Sequence, residues 1–563
     1  MLFAGVALLA VAAAHGAAKK PNVILIMTDD QGFGDMHCNG NPYLETPNTD
    51  KLYNEGVRLT NFHVDPTSSP TRSSLMTGRY SSRTGVWHTL QGRSIMDAEE
   101  ITMAQIFREN GYRTGIFGKW HLGDSYPYHP MYRGFDECVT YGGGGVGQNP
   151  DYWRNDYFSD MYMHNGMMKH YEGYCTDVWF SEAMRFIAEN QEKPFFCYIP
   201  TNAPHFPYFV AERYAAPYRR VGMSDQRARF SGMITNIDEN LGKLRDKLYQ
   251  LGIEENTILI FMSDNGSGFM TRDDFFYNAG MRGGKGSVYE GGHRVAFFIH
   301  YKDGKLTGGR DVNQLAAHFD LLPTLSAICG LEINHKIDLD GIDISAQLQG
   351  KANAIPRTLF VHQQRVDIPV KYKNYCVMDA LWRLVGNGDK CELYNLAADP
   401  GQQNDLAKSE SARLKAMREA YEKWWEHISG RFGSYSEIYL GALEEPVSWL
   451  TCHDWHSDAQ LRTWDQDVIR AKEHGNGYWT VKVVRSGVYT FTLRTYPYEE
   501  DTCMGVDRVK MAIGDENWEA TCFPGASQVT LTANLKVGSY RMQTWMYEPK
   551  GKEYGAPYVY VQY

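Results

Sequence analysis

No Cys-x-x-Cys pair occurs among the ten cysteines, at 38, 138, 175, 197, 329, 376, 391, 452, 503 and 522, which excludes a zinc ribbon or a thioredoxin-type redox site. No cysteine precedes Cys38, so a lipid-anchored cysteine at a leader cleavage site is not expected. Nor is there an excess of positive charge. Lys and Arg number 57 against 67 Asp and Glu, a formal net charge of −10. That balance argues against a nucleic-acid partner, which requires a basic footprint. Internal repeats and low-complexity tracts are missing too. Hydrophobic residues at 43% and charged residues at 22% match ordinary globular usage and exclude wholesale disorder. The first apolar run, residues 2–14, is shorter than the ~20 residues a bilayer requires, and no later segment reads as a membrane span.

What is present reads as an exported chain of several units. The run 2–14 passes into small residues and then Lys19-Lys20-Pro21, the pattern of a secretory leader over 1–18, so a periplasmic or secreted protein is expected. Export permits disulfides, but spacing assigns no pairs. The 563 residues suggest about three or four folding units and bury a core without staples.

Four apolar runs share one arrangement. The run 22–27 leads into Thr28-Asp29-Asp30-Gln31-Gly32, and 114–117 into Gly118-Lys119-Trp120-His121. The run 195–199 leads into Pro200 and then Asn202-Ala203-Pro204-His205, and 257–262 into Ser263-Asp264-Asn265-Gly266. Short continuous apolar runs are strands buried on both faces of a parallel sheet. In such sheets the ligand crevice lies at the carboxyl ends of the strands, so the four polar endings converge there. Helical patterns over 99–110, 177–190 and 225–251, the last closed by Gly252, complete a doubly wound α/β domain over 19–355. Residues 356–432 read as a small α+β subdomain, with strands at 375–378 and 382–385 and a helix at 409–427. Period-two alternation at 478–484, 487–493, 529–533 and 558–562 predicts an antiparallel β-sandwich-like module over 433–563.

The densest chemistry lies in Ser68-Ser69-Pro70-Thr71-Arg72-Ser73-Ser74-Leu75-Met76-Thr77-Gly78-Arg79. A hydroxyl ahead of a proline-initiated helix places backbone amides that favour an anion, and an arginine one turn on adds a bidentate contact to an oxyanion. In isolation the same residues would be a helix cap with a surface arginine. The segment resembles the signature of the type I sulfatases: Cys or Ser, any residue, Pro, any residue, Arg, then Thr-Gly-Arg. Asp29-Asp30-x-Gly32 and Asp264-Asn265-Gly266 resemble that family's metal segments. Gly118-Lys119-Trp120-His121-Leu122-Gly123, Pro204-His205 and Gly283-Gly284-Lys285 with Glu290-Gly291-Gly292-x-Arg294-Val295 resemble its sulfate-binding and acid–base segments, in the same order. Ala296 departs from the proline common in the family, and the residues after 435 lie outside its common core.

The resemblance implies an alkaline-phosphatase-like mixed sheet and a nucleophile, formylglycine, made by oxidation of Ser68. A serine at this position resembles the branch matured by a radical enzyme, so a serine-type formylglycine-generating maturase is an expected partner. Asp29, Asp30, Asp264 and Asn265, with the modified Ser68, would hold the metal. These hard oxygen donors suit Ca2+, with Mg2+ as the alternative, rather than zinc. Adjacent carboxylates at 29 and 30 repel unless a cation relieves them. By resemblance Asp264 helps deprotonate the nucleophile, and His205, aided by Lys285, protonates the leaving alcohol. His121 then deprotonates the remaining hydroxyl, Lys119 and Lys285 neutralise sulfate oxygens, and Arg72 holds the nucleophile.

The glycine-rich stretch at 142–145, followed by Gln148, Asn149, Tyr152, Trp153 and Arg154, is expected to contact the sugar, as crevice-framing loops do. His362-Gln363-Gln364-Arg365 reads either as a buried strand end or as a reach into the pocket. Trp455, Trp464, Trp479 and Trp518 read either as packing of the last module's core, the favoured reading, or as a glycan platform. The leading expectation is an exported sulfatase acting on a carbohydrate sulfate ester, with galactose or N-acetylgalactosamine 4-sulfate as candidates. Its alternatives are a phosphoryl or phosphonate ester hydrolase of the same superfamily, or a sulfated-glycan-binding protein with unmodified Ser68.

Overall fold

The computed structural model describes residues 19–563; the leader read at 1–18 lies outside the described residues. A ten-stranded mixed sheet forms the first unit, in the order Arg310–Val312, Val57–Leu59, Phe297–His300, Thr257–Ser263, Asn22–Thr28, Phe195–Pro200, Arg113–Lys119, Glu137–Tyr141, Met161–His164, Met167–His170. The five strands from Thr257–Ser263 to Glu137–Tyr141 are mutually parallel. The α/β fold expected from sequence is therefore present, and each of the four apolar runs is a strand that extends into its polar ending.

Asn22–Thr28 is buried at every residue. Its Ile24 and Ile26 face a cluster containing Trp179, Phe186, Leu241 and Leu244. Val23, Leu25 and Met27 face a second cluster with Leu75, Met76, Ile106 and Leu325. Helices on both faces thus explain why these strands are continuously apolar rather than alternating. The expected helix at 99–110 begins only at Met103, because Thr102 and Gln105 form a reciprocal capping box: Thr102 Oγ1 accepts from the Gln105 amide at 3.2 Å and Gln105 Oε1 from the Thr102 amide at 2.9 Å. The outer hairpin, Met161–His164 with Met167–His170, carried no readable strand pattern, since its second strand is exposed throughout.

Close approach of two strand ends fixes one glycine. Gly118 has φ +127°, and a Cβ there would lie 2.0 Å from the carbonyl oxygen of Pro200. Gly118→Ala is expected to cost about 2–4 kcal/mol, because both the backbone angle and the contact are closed to a side chain. A shift in the urea midpoint measures it, and a loss below about 0.5 kcal/mol would contradict this account.

The second sheet, Leu359–His362, Tyr375–Met378, Trp382–Asn387 and Lys390–Asn395, is antiparallel and covered by the helix Ser411–Ile428 through Tyr421 and Trp424. The C-terminal region holds two further sheets. One runs Ile438–Leu440, Tyr478–Val483, Gly538–Tyr547, Arg508–Ile513, Glu516–Thr521, and the other Val447–Thr451, Tyr558–Gln562, Gly487–Arg494, Val529–Leu535. All pairings in these two sheets are antiparallel except that of Ile438–Leu440 with Tyr478–Val483. Trp455 and Trp479 are fully buried in this region's core, and Trp518 packs against it. Trp153, Ile95 and Tyr128 from the α/β unit join the same cluster, so the apolar core continues across the seam. All ten cysteines are unpaired. Among the described residues no helix is long and apolar enough to cross a membrane.

Candidate active site

Ser68 opens the helix Ser68–Thr77, every residue of which is buried. Its Oγ therefore sits at a helix N-terminus, where orphan amides and the macrodipole favour negative charge. Ser68 Oγ donates to Asp29 Oδ1 at 3.1 Å and accepts from Lys119 Nζ at 3.3 Å. Asp29 immediately follows the central strand and Lys119 ends the strand two places away, so the sheet itself brings the residues together. Lys119 Nζ also donates to Asp29 Oδ2 at 2.5 Å, and Lys285 Nζ donates to Asp30 Oδ2 at 2.8 Å. Arg72, one turn into the helix, pairs with Asp264 Oδ2 at 2.8 Å and donates to the Lys119 carbonyl at 3.2 Å.

Three buried carboxylates thus face three cationic side chains. Burial pushes the Asp29 carboxyl up, but Lys119, His205 and Arg72 more than reverse this and hold it below the ordinary carboxylate range. Asp30 behaves likewise, with Lys285 and His205 opposing its burial. The Lys285 ammonium is raised despite burial because Asp30 and Asp29 stand beside it. The donor chemistry fits a hard divalent cation. Asp29, Asp30 and Asp264 supply carboxylate oxygens, and Asn265 Oδ1 is buried without a hydrogen-bond partner among the described residues. Asn265 Nδ2 donates to Asp30 Oδ1 at 2.8 Å and the Asp30 amide to Asp264 Oδ1 at 3.1 Å, which locks the two metal-type segments together.

His121 and His205 line the cavity that Ser68, Lys119 and Lys285 floor, about 330 Å³ in volume. Burial, then Lys119, hold His121 well below its ordinary pKa, so it is neutral. Its Nε2–H donates to the Thr89 carbonyl at 2.9 Å, which leaves Nδ1 as the lone-pair nitrogen. His205 Nδ1–H donates to its neighbour's carbonyl, Phe206, at 2.5 Å, and Nε2 lies 3.8 Å from Asp30. Asp30 (φ +66°) and His121 (φ +62°) both adopt left-handed backbone, a strain of about 1–3 kcal/mol each that clusters at functional sites.

The last motif segment, which begins at Glu290, acts behind the site. Gly266 donates to the Gly292 carbonyl at 3.0 Å, and a Cβ on Gly266 would lie 1.8 Å from the Gly291 carbonyl. Glu290 pairs with Arg383 at 2.5 Å beside His63 and His293. Arg383 pairs with that carboxylate, and the Gly266–Gly292 bond ties the segment to the Asn265 turn.

Of the residues expected to touch sugar, Gln148 lines the cavity. Asn149, Trp153 and Arg154 lie elsewhere. Asn149 is fully buried, with Nδ2 donating to the Thr463 carbonyl, and Trp153 is 4% exposed in the C-terminal core. Arg154 pairs with Glu500. The two readings of the 362–365 stretch divide: His362 is buried against Ser82, whereas Arg365 lines the cavity. Sequence reasoning missed His88 and preferred a core position to a glycan platform for Trp464, yet both line the cavity together with Gln460, Leu461 and Arg462. It also missed His453, whose ring centroid lies 6.0 Å from that of His121 and whose Nδ1 lies 2.9 Å from Asp454. No local pattern marks these residues.

The sulfatase family profile matches residues 21–331, more than half of the chain. The chain belongs to the sulfatase family. It is 31% identical over 366 residues to the N-acetylgalactosamine-6-sulfatase of Canis lupus familiaris, covering 60% of this chain and 67% of that protein. It is 31% identical over 391 residues to arylsulfatase A of Homo sapiens, covering 64% of this chain and 74% of that one. Among solved structures, Ps i-CgsB in complex with k-i-k-neocarrahexaose superposes with a TM-score of 0.67 at 29% identity, over 74% of this sulfatase and 95% of that chain. A phosphonate monoester hydrolase of Agrobacterium radiobacter, at 19% identity and a TM-score of 0.53, shares the fold alone. The protein is accordingly a sulfuric ester hydrolase.

Proposed function

We propose that this sulfatase is exported and removes a sulfate ester from galactose or N-acetylgalactosamine in a glycan, at the cavity floored by Ser68. The observation that carries the reading is the convergence of Ser68, Lys119, His121, His205 and Lys285 on one cavity above three buried carboxylates. The carbohydrate is supported by the relatives, one named for N-acetylgalactosamine and one solved with a carrageenan-type oligosaccharide. Oxidation of Ser68 by a serine-type radical maturase, which removes the hydrogen on Oγ and one on Cβ, would give an aldehyde, and addition of water to that aldehyde would give the hydrate that serves as the nucleophile. A Ca2+ ion held by Asp29, Asp30, Asp264 and Asn265 would add Lewis acidity at the sulfate oxygens, with Mg2+ as the alternative ion.

The side chains divide the remaining work. Lys119 and Lys285 are the cations placed to neutralise an anionic ester, in a pocket whose low dielectric strengthens them. Asp264, held by Arg72, is the carboxylate assigned to accept the nucleophile's proton. With Nδ1–H committed to the Phe206 carbonyl, His205 can give the leaving alcohol a proton from Nε2 only as the imidazolium, and Lys285, kept an ammonium by Asp30 and Asp29, is the aid that supplies the proton beside it. His121 Nδ1 takes the proton that closes the cycle, for the matching reason that Nε2 is committed to Thr89.

The test is inorganic sulfate release by protein made with a serine-type maturase, from the 4-sulfate and 6-sulfate of N-acetylgalactosamine and from glucosamine 6-sulfate. Release from either galacto-configured ester at least about tenfold faster than from the gluco-configured one is expected, as a misplaced hydroxyl contact costs about 1.4 kcal/mol or more. The ratio of the first two fixes the position. Hydrolysis of an aryl sulfate with none of either galacto-configured ester would overturn the sugar assignment.

A further inference from the structure

The C-terminal module is more than an appendage to the α/β unit. Its residues 457–465, between the bridge at His456 and the helix Gln466–Arg470, reach the mouth of the reaction cavity. Gln460, Leu461, Arg462 and Trp464 line that cavity together with Phe206 and Gln148. A second cavity, about 460 Å³, adjoins it, and the two share Gln148, Phe206, Arg462 and Trp464 as walls. Each volume falls in the range of about 300–1,000 Å³ that is usual for ligand pockets. The two cavities thus lie side by side at the seam between module and α/β unit, the first of them at the reacting centre.

This loop is held in place rather than left free. The amide of Asn149 donates to the Trp464 carbonyl at 2.8 Å, and Asn149 Nδ2 to the Thr463 carbonyl at 3.0 Å. Gln91 Nε2 donates to the Ala459 carbonyl at 2.6 Å, and Gln460 Nε2 to the Arg365 carbonyl at 3.0 Å. Both other units of the chain therefore grip the loop, and a wall fixed before binding saves the ordering cost that a mobile one would impose. Its chemistry is an indole with a guanidinium beside it, Arg462 lying 5.9 Å over the Trp464 ring, while Arg365 lines the same cavity. An aromatic face suits the apolar face of a sugar ring, and arginines suit carboxylate or sulfate groups.

We propose that residues 460–464 form an outer subsite for the sugar units next to the sulfated one, so that the preferred substrate is an anionic oligosaccharide rather than a monosaccharide sulfate. Trp464 and Arg462 contact the neighbouring sugar, and Asn149 is a positioning residue that acts through the loop. This rests on the carbohydrate reading above and adds the chain length and charge of the substrate.

The experiment measures binding, so that it stands apart from turnover. The full-length Ser68→Ala chain is titrated calorimetrically with a chondroitin sulfate tetrasaccharide and with the matching N-acetylgalactosamine sulfate. Adding Trp464→Ala or Arg462→Ala is expected to weaken the tetrasaccharide about 10- to 100-fold and the monosaccharide less than threefold, as loss of a central contact does. Asn149→Ala should follow the same pattern. Arg462 is exposed, so its variant tests the loop even where the tryptophan variant folds poorly. Equal losses for the two sugars, or no loss for the tetrasaccharide, would overturn the subsite. Binding of neither sugar by the Ser68→Ala chain before any loop change overturns the carbohydrate reading and the subsite with it.

Discussion

Ser68→Ala is expected to lower sulfate-ester turnover by about 10⁴-fold or more, the scale of removing a nucleophile from an otherwise intact site. Ser68 is 2% exposed, and its Oγ is within 3.1 Å of Asp29 and 3.3 Å of Lys119 at the positive end of a buried helix. Lys119, Lys285 and both histidines stay in place in the variant, so substrate binding should survive while chemistry stops. Mass spectrometry of the tryptic peptide 59–72 supplies the second readout: the native residue should be two hydrogens lighter than serine. Ser68→Cys should regain activity in a host whose maturase accepts cysteine. Full activity with an unmodified serine would sink the formylglycine assignment, and intact sugar binding with no turnover in verified, oxidised protein would favour a binding protein.

Asp264→Ala should produce a large loss of stability as well as of activity. Asp264 is fully buried, and its partner Arg72 is 1% exposed at 2.8 Å. Removing one member of such a pair leaves an uncompensated buried charge, a penalty of about 3–5 kcal/mol. The amide of Asp30 also loses its acceptor, so the turn that carries Asp30 loosens. Asp264→Asn keeps an acceptor for that amide and the volume, and should recover part of the stability without recovering turnover. Urea denaturation of both variants, with bound divalent metal measured by mass spectrometry, separates the two effects. A loss below about 1 kcal/mol in Asp264→Ala, with metal content unchanged, would show that this pair carries neither role.

The parts of the site that were legible in sequence share a cause. A strand buried on both faces must be continuously apolar, so the change to Asp29-Asp30, Lys119, His205 or Asp264 marks its end without ambiguity. The Ser68 helix was legible for a similar local reason, the Pro70 that follows the hydroxyl by two residues. The expectation for 148–154 divided because composition does not tell which side of a loop faces the cleft. Asn149 and Trp153 have the residue types of a sugar-binding loop, but they bond and pack onto the C-terminal module instead. The same ambiguity hid Trp464, which sits among core tryptophans in sequence yet lines the cavity.

Sequence by itself determined the α/β sheet, the helix that carries Ser68, the oxygen-rich strand ends and the antiparallel character of the C-terminal region. Each of these follows from periodicity or a break in periodicity within a few residues, and burial enforces it locally. Only the tertiary structure decided that His121 is tied through Nε2 to Thr89, that Arg383 pairs with Glu290, and that Gln460, Leu461, Arg462 and Trp464 line the cavity. Those contacts join segments whose side-chain patterns are independent of one another. Which of them meet is set by how the sheets pack across the seam around Trp153, and no local signal records that packing.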